Sequence, residues 1–142
     1  DMAGLASWVD RLDSGALTRQ QVVRGFAQSV EFINSTADDV VAYMRGLGVD
    51  DTLNGGRGTN ALYGGAGADK FVFEAADNGT TTVHDFEAWD WLELDGFGFA
   101  STAQALAAFT QQGDDVVFTH SGVHIVLADT DLSLLTQDSV LI

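Results

Sequence analysis

The chain has 142 residues, 46% of them hydrophobic, and carries 21 Asp and Glu against six Lys and Arg, a formal net charge of -15. That balance repels polyanions, which excludes a nucleic-acid ligand and binding to an anionic membrane surface. With no cysteine there is no disulfide, thiolate zinc site or cysteine nucleophile, and no apolar run approaches the twenty residues of a membrane-spanning helix.

The charge is uneven along the chain. Residues 1–48 carry six acids and four Arg, whereas residues 49–142 carry fifteen acids against Arg57 and Lys70 alone. A domain boundary is therefore expected between 48 and 49. The first part reads as short helices. Leu5, Trp8, Val9 and Leu12 fall on one helical stripe. A second helix opens at Thr18, with Gln21 completing a capping-box pattern, and buries Val22, Val23, Phe26 and Val30. A third starts from Ser35 or Thr36, with acids in its first turn, and runs out at Gly46 and Gly48.

Between Gly46 and Gly67 the chain has eight glycines and reads in nines: "GLGVDDTLN", "GGRGTNALY", "GGAGADKFV". Glycine at Gly56, Gly58, Gly65 and Gly67 permits the positive φ of a tight bend and lets backbone carbonyls converge. Asp51, Asn60 and Asp69 occupy the sixth position of each unit and offer side-chain oxygens. Leu53, Leu62 and Phe71 occupy the eighth and point to a core. Carboxylates and carbonyls are the donors a hard cation such as calcium takes. A flexible linker would not hold three apolar residues in register, and a phosphate loop needs the G-K-[ST] ending that "GGAGADK" lacks.

The second and third units fit G-G-x-G-x-D-x-U-x and resemble the calcium-binding nonapeptides of RTX proteins. The resemblance implies a short parallel β-roll with two units per turn, so that residues eighteen apart stack: Asp51 over Asp69, and Asn60 under Asn78 with Asp77 beside it. Two carboxylates about 4.8 Å apart repel by roughly 3 kcal/mol at an effective dielectric near 20. Calcium between them reverses the sign and links folding to metal binding. The next segment, "GADKFVFEAADNGTTTVHDFEAWDWLELDG", resembles the end of the β-roll in serralysin-type metalloproteases and other type I secretion substrates. Asp85 and Asp90 are its candidate ligands. Thr81 stands where an Asp is common, and the Asp85–Asp90 spacing is one residue short. Residues 7–32 resemble a small helical module of unknown function that accompanies such repeats in exported bacterial proteins.

Beyond the roll, "STAQALAAFTQQ" is expected to be helical with a Ser101 or Thr102 cap, and "DDVVFTHSGVHIVLA" to be a hairpin. A short helical turn and an apolar tail then end the chain. His120 and His124 can share a strand face, but a zinc site needs more ligands. Trp89 and Trp91 are core residues or an aromatic platform. No H-E-x-x-H and no Ser/His/Asp arrangement is identifiable. Asp138, Ser139, Val140, Leu141 and Ile142 resemble the uncleaved export signal of type I substrates, although a plain apolar terminal strand reads the same way.

The expected fold is mainly β with a helical N-terminal part: a short parallel β-roll closed by a hairpin and short helices. The expected function is that of a non-catalytic, secreted calcium-binding domain. It folds on calcium after passage through the type I machinery, starting from its C-terminal end, with a passenger upstream and no membrane insertion. An adhesin-like module with structural calcium, and the end piece of a secreted enzyme, are the alternatives.

Overall fold

The computed structural model describes Ser14 and residues 30–142. The helices expected over 5–12 and 18–29 lie outside those residues. By compactness the chain divides into Asp1–Val40 and Val41–Ile142.

The first described helix, α1, spans Val30–Gly46. It begins before the expected Ser35/Thr36 start and runs through Asn34–Thr36 without a break. Those polar residues cap a helix only where the chain leaves helical geometry, and here it does not. The other end follows the expectation. Leu47 N–H donates to the Met44 carbonyl (3.2 Å) and Gly48 N–H to that of Arg45 (3.1 Å), with Gly48 at φ +96°. That left-handed residue halts the helix.

From here strands alternate between two sheets. The first sheet has the order β1-β3-β5-β9: β1 Thr52–Leu53, β3 Lys70–Glu74, β5 Trp91–Asp95 and β9 Val140–Leu141. The second has the order β2-β4-β8-β7-β6: β2 Gly58–Leu62, β4 Gly79–Val83, β8 Val123–Leu127, β7 Asp115–His120 and β6 Phe109–Gln112. The pairs β1–β3, β3–β5, β5–β9, β2–β4 and β4–β8 are parallel, and β6–β7–β8 is antiparallel. The chain is thus a parallel β-roll closed by a hairpin.

Alternation along each strand places Phe71, Phe73, Leu92 and Leu94 of one sheet against Val83, Val116, Phe118, Ile125 and Leu127 of the other, in one buried cluster. Leu53 and Leu62 pack on its edge as expected. The hairpin turns at Ser121 (φ +52°) and Gly122 (φ +84°), the two-residue left-handed turn that suits strand twist. It sends His120 inward, 5.1 Å from the Phe99 ring. His124 points outward, 3.0 Å from the Thr119 hydroxyl. The two histidines lie on opposite faces, so the shared-face expectation does not hold.

The predicted cap at Ser101 is present, its hydroxyl accepting from Gln104 N–H at 3.2 Å, but the helix it starts, α2, is only Thr102–Leu106. Phe109–Gln112, expected to continue it, instead forms β6 because Phe109 is buried against Phe118 on the paired strand. A 3-10 turn at Leu132–Leu134 precedes β9.

The stacking period is eighteen residues only in the first turn of the roll, where Thr52 pairs with Lys70. The next steps are twenty-one: Gly58 with Gly79, and Lys70 with Trp91. Asn60 therefore pairs with Thr81 and not with Asn78, which corrects the expected Asn60–Asn78 stack. The three extra residues enter between Phe71 and Gly79, where β3 runs on through Val72–Glu74 before the chain turns. Asn78 is displaced to the hairpin end, its side-chain oxygen filling the space that a Cβ on Gly122 would need.

Candidate metal centre

The strand order puts the connecting turns on two flanks. Turns 46–51, 63–69 and 84–90 lead into the first sheet and form the first flank. Turns 54–57 and 75–78 lead into the second sheet and form the second flank.

On the first flank the sixth-position aspartates build a ladder. Asp51 N–H donates to Asp69 Oδ1 (2.9 Å), and Asp69 N–H donates in turn to Asp90 Oδ1 (2.9 Å). The backbone repeats the step, Lys70 N–H to the Asp51 carbonyl and Trp91 N–H to that of Asp69. The sequence spacing that anticipated Asp51 over Asp69 thus corresponds to a physical contact.

The carboxylates of this flank are not equivalent. Asp90 is buried and both its oxygens accept backbone N–H groups, from Asp69 and from Glu87 (2.7 Å). Burial pushes its pKa up to about 6, against the pull of those two hydrogen bonds. Asp85 likewise accepts Gly64 N–H and Gly65 N–H, both at 2.8 Å. Asp69 differs. It is 1% exposed, and its Oδ2 has no hydrogen-bond partner. Burial, then the charges of Asp51, Asp50 and Asp85, raise its pKa, with the Asp51 N–H opposing them.

An ionised buried oxygen without a partner costs at least about 1–3 kcal/mol. The surroundings look built to accept that cost. A Cβ on Gly64 would stand 2.5 Å from Asp69 Oδ2, and one on Gly67 would stand 2.5 Å from Asp50 Oδ2. Glycine at both places leaves room for the carboxylates. Gly65 and Gly67 have φ of +91° and +118°, and on the second flank Gly56 and Gly58 have +65° and +100°, so the expected bends are all present.

A divalent cation is the group that would satisfy the unpartnered oxygen. Asp69 Oδ2 would be its side-chain donor, and bound there it would offset the Asp50 and Asp51 charges that act on Asp69. Among the described residues no three His, Asp or Glu side chains form a metal cluster. The remaining donors would come from backbone carbonyls, as calcium accepts.

Two participants were missed in the sequence. Asp50, at position five of the degenerate unit, was legible only as a second acid beside Asp51. Arg45 directly precedes the flank's first turn, but the groups it holds are more than forty residues farther on. Its guanidinium donates to the carbonyls of Trp89 (3.2 Å), Ala88 (3.4 Å) and Asp90 (3.4 Å) and sits 5.1 Å from the Trp91 ring. Trp89 Nε1 donates to Glu87. On the second flank Asp77 pairs with Arg57 at 3.7 Å and Asn60 is hydrogen-bonded within its own turn. At the chain end, Ser139 and Val140 are buried, Leu141 and Ile142 are exposed, and Leu92 N–H donates to the Ser139 carbonyl.

Compared with known proteins, residues 45–78 match the RTX calcium-binding nonapeptide repeat (4 copies), and residues 1–36 match a domain of unknown function, DUF4214. Residues 45–78 thus carry nonapeptide repeats of the RTX type, and calcium is the ion such repeats bind. Among solved structures, the extracellular lipase LipA from Serratia marcescens is similar at a TM-score of 0.47 and 21% identity. The match covers 64% of this chain and 20% of the lipase, so the chain spans a fifth of that protein's length. No curated protein matches.

Proposed function

We propose that this is a non-catalytic, calcium-triggered folding module of an exported protein, with a helical part at 1–48 and the roll and its cap at 49–142. The carrying observation is Asp69 Oδ2, a buried carboxylate oxygen with no partner in the field of Asp50, Asp51 and Asp85. Without calcium that arrangement opposes folding. With calcium it links successive turns of the roll.

A chain of formal charge -15 stays open in a calcium-poor cytosol, passes a type I channel, and closes where calcium is abundant. Sites of extracellular modules have dissociation constants of about 10⁻⁴–10⁻³ M, which suits that step. The segment 138–142 would act as the export signal while the chain is open, since folding buries Ser139 and Val140. A passenger lies upstream. The aromatic-platform reading draws no support from Trp89 and Trp91, because both are half-buried, Trp91 against Arg45 and Trp89 against Glu87.

The test is circular dichroism and thermal melting of the 142-residue chain in calcium and in chelator. A β-rich, cooperative melt only with calcium is expected. Identical spectra and melting temperatures would reject the switch.

A further inference from the structure

The two flanks of the roll are chemically opposite. At the stacked positions the first flank has Asp51, Asp69 and Asp90. At the equivalent positions the second has Asn60 and Thr81. The Asn60 side-chain nitrogen donates to the Gly56 carbonyl (2.9 Å) and to the buried Thr81 hydroxyl (3.1 Å). A carbonyl only accepts, so the nitrogen must face Gly56, and its hydrogens occupy the point where a cation would collect oxygens.

The remaining acids of that flank also have donors. Asp77 pairs with Arg57, and Glu74 accepts from the Asn54 amide (3.4 Å), whose oxygen in turn accepts Gly56 N–H (2.8 Å). The cavity bordered by Asn54, Gly55, Gly56, Asp77 and Thr81 measures about 10 Å³, room for about one water molecule. The second turn of this flank, "AADN", also lacks the paired glycines of the first.

We infer that the second flank is closed by donors from the chain itself and takes no calcium, which confines the ion to the first flank. The carboxylate-to-amide change at Asn60 and the hydroxyl at Thr81 make that discrimination. This rests on the reading that the first flank binds calcium. The consequence is that half of each turn of the roll is held by permanent internal bonds and half by an exchangeable ion.

The test is the calcium-binding isotherm of the whole 142-residue chain, with calcium alone as probe. Asp77→Asn should leave the number of bound ions unchanged and shift half-saturation by less than twofold. Asp69→Asn should lose binding by at least tenfold. The double variant Asn60→Asp/Thr81→Asp should gain one calcium per chain. A calcium-saturated crystal of the wild type, which needs no variant to fold, should show density at Asp69 and none at Asn60.

An ion beside Asn60, or fewer bound ions in Asp77→Asn, would overturn the inference. A folded double variant with no added ion would overturn the two substitutions as its cause. Wild-type protein that binds no calcium would instead overturn the reading of the first flank, and with it the confinement.

Discussion

Asp69 places opposite demands on one carboxylate. Oδ1 is held by the Asp51 N–H, and Oδ2 is buried without a partner. Asp69→Asn keeps an acceptor for Asp51 and removes the charge, so its effect on stability should change sign with the solvent. In calcium the variant should unfold at lower urea than wild type. In chelator it should be more stable, by about 1 kcal/mol, since an uncompensated buried charge has gone. Loss of stability in both conditions would show that Asp69 is merely structural. Asp90 offers a pH signature. Its folded pKa of about 6 lies above the ordinary carboxylate value, so the metal-free fold holds a proton that the unfolded chain has released. That contribution is complete below about pH 4 and is lost as pH rises through about 6. Urea midpoints of metal-free protein should fall across that window, and Asp90→Asn should flatten this part of the profile.

At the level of strands and turns, the first turn of the roll was legible because nonapeptides state their own period. Asp51 and Asp69 at eighteen residues, and Leu53 with Phe71, follow from counting. The second turn was not, because the insertion between Phe71 and Gly79 has no repeat to mark it. The alternating burial of β3 carries the chain three residues farther before it bends. The conversion of Phe109–Gln112 to strand has a different origin: a helical period is a local preference, and packing of a paired strand outweighs it. Arg45 was invisible for another reason, since its three carbonyl partners are more than forty residues away. Gly79 tests the revised register. A Cβ there would stand 2.0 Å from the Gly58 carbonyl, so Gly79→Ala should detach β2, lowering stability by several kcal/mol. Amide exchange of 58–62 should rise while the 116–127 hairpin stays protected. Unchanged exchange in β2 would mean that the twenty-one-residue register is wrong.

For the molecule as a whole, the net charge of -15 sets how far calcium and salt replace one another. Monovalent salt screens distant repulsion but reaches a buried pair poorly. Potassium chloride in chelator should therefore raise the melting temperature of any residual structure only partly, and should not restore the calcium-bound value at any ionic strength up to 1 M. Full recovery by salt would reduce the ion to a general counter-charge. The pairing distances have a kinetic meaning as well. The β7–β8 hairpin joins neighbours across a two-residue turn, whereas β1–β3 closes eighteen residues, β4–β8 forty-four and β5–β9 forty-eight. Entropy alone sets the longest closure about 0.9 kcal/mol behind the eighteen-residue one. During refolding the hairpin is ready first and offers Val123–Leu127 as a template edge, so the expected start at the C-terminal end shifts inward to that hairpin, and the strand at Val140 joins later, as a bolt slides home after the door has shut.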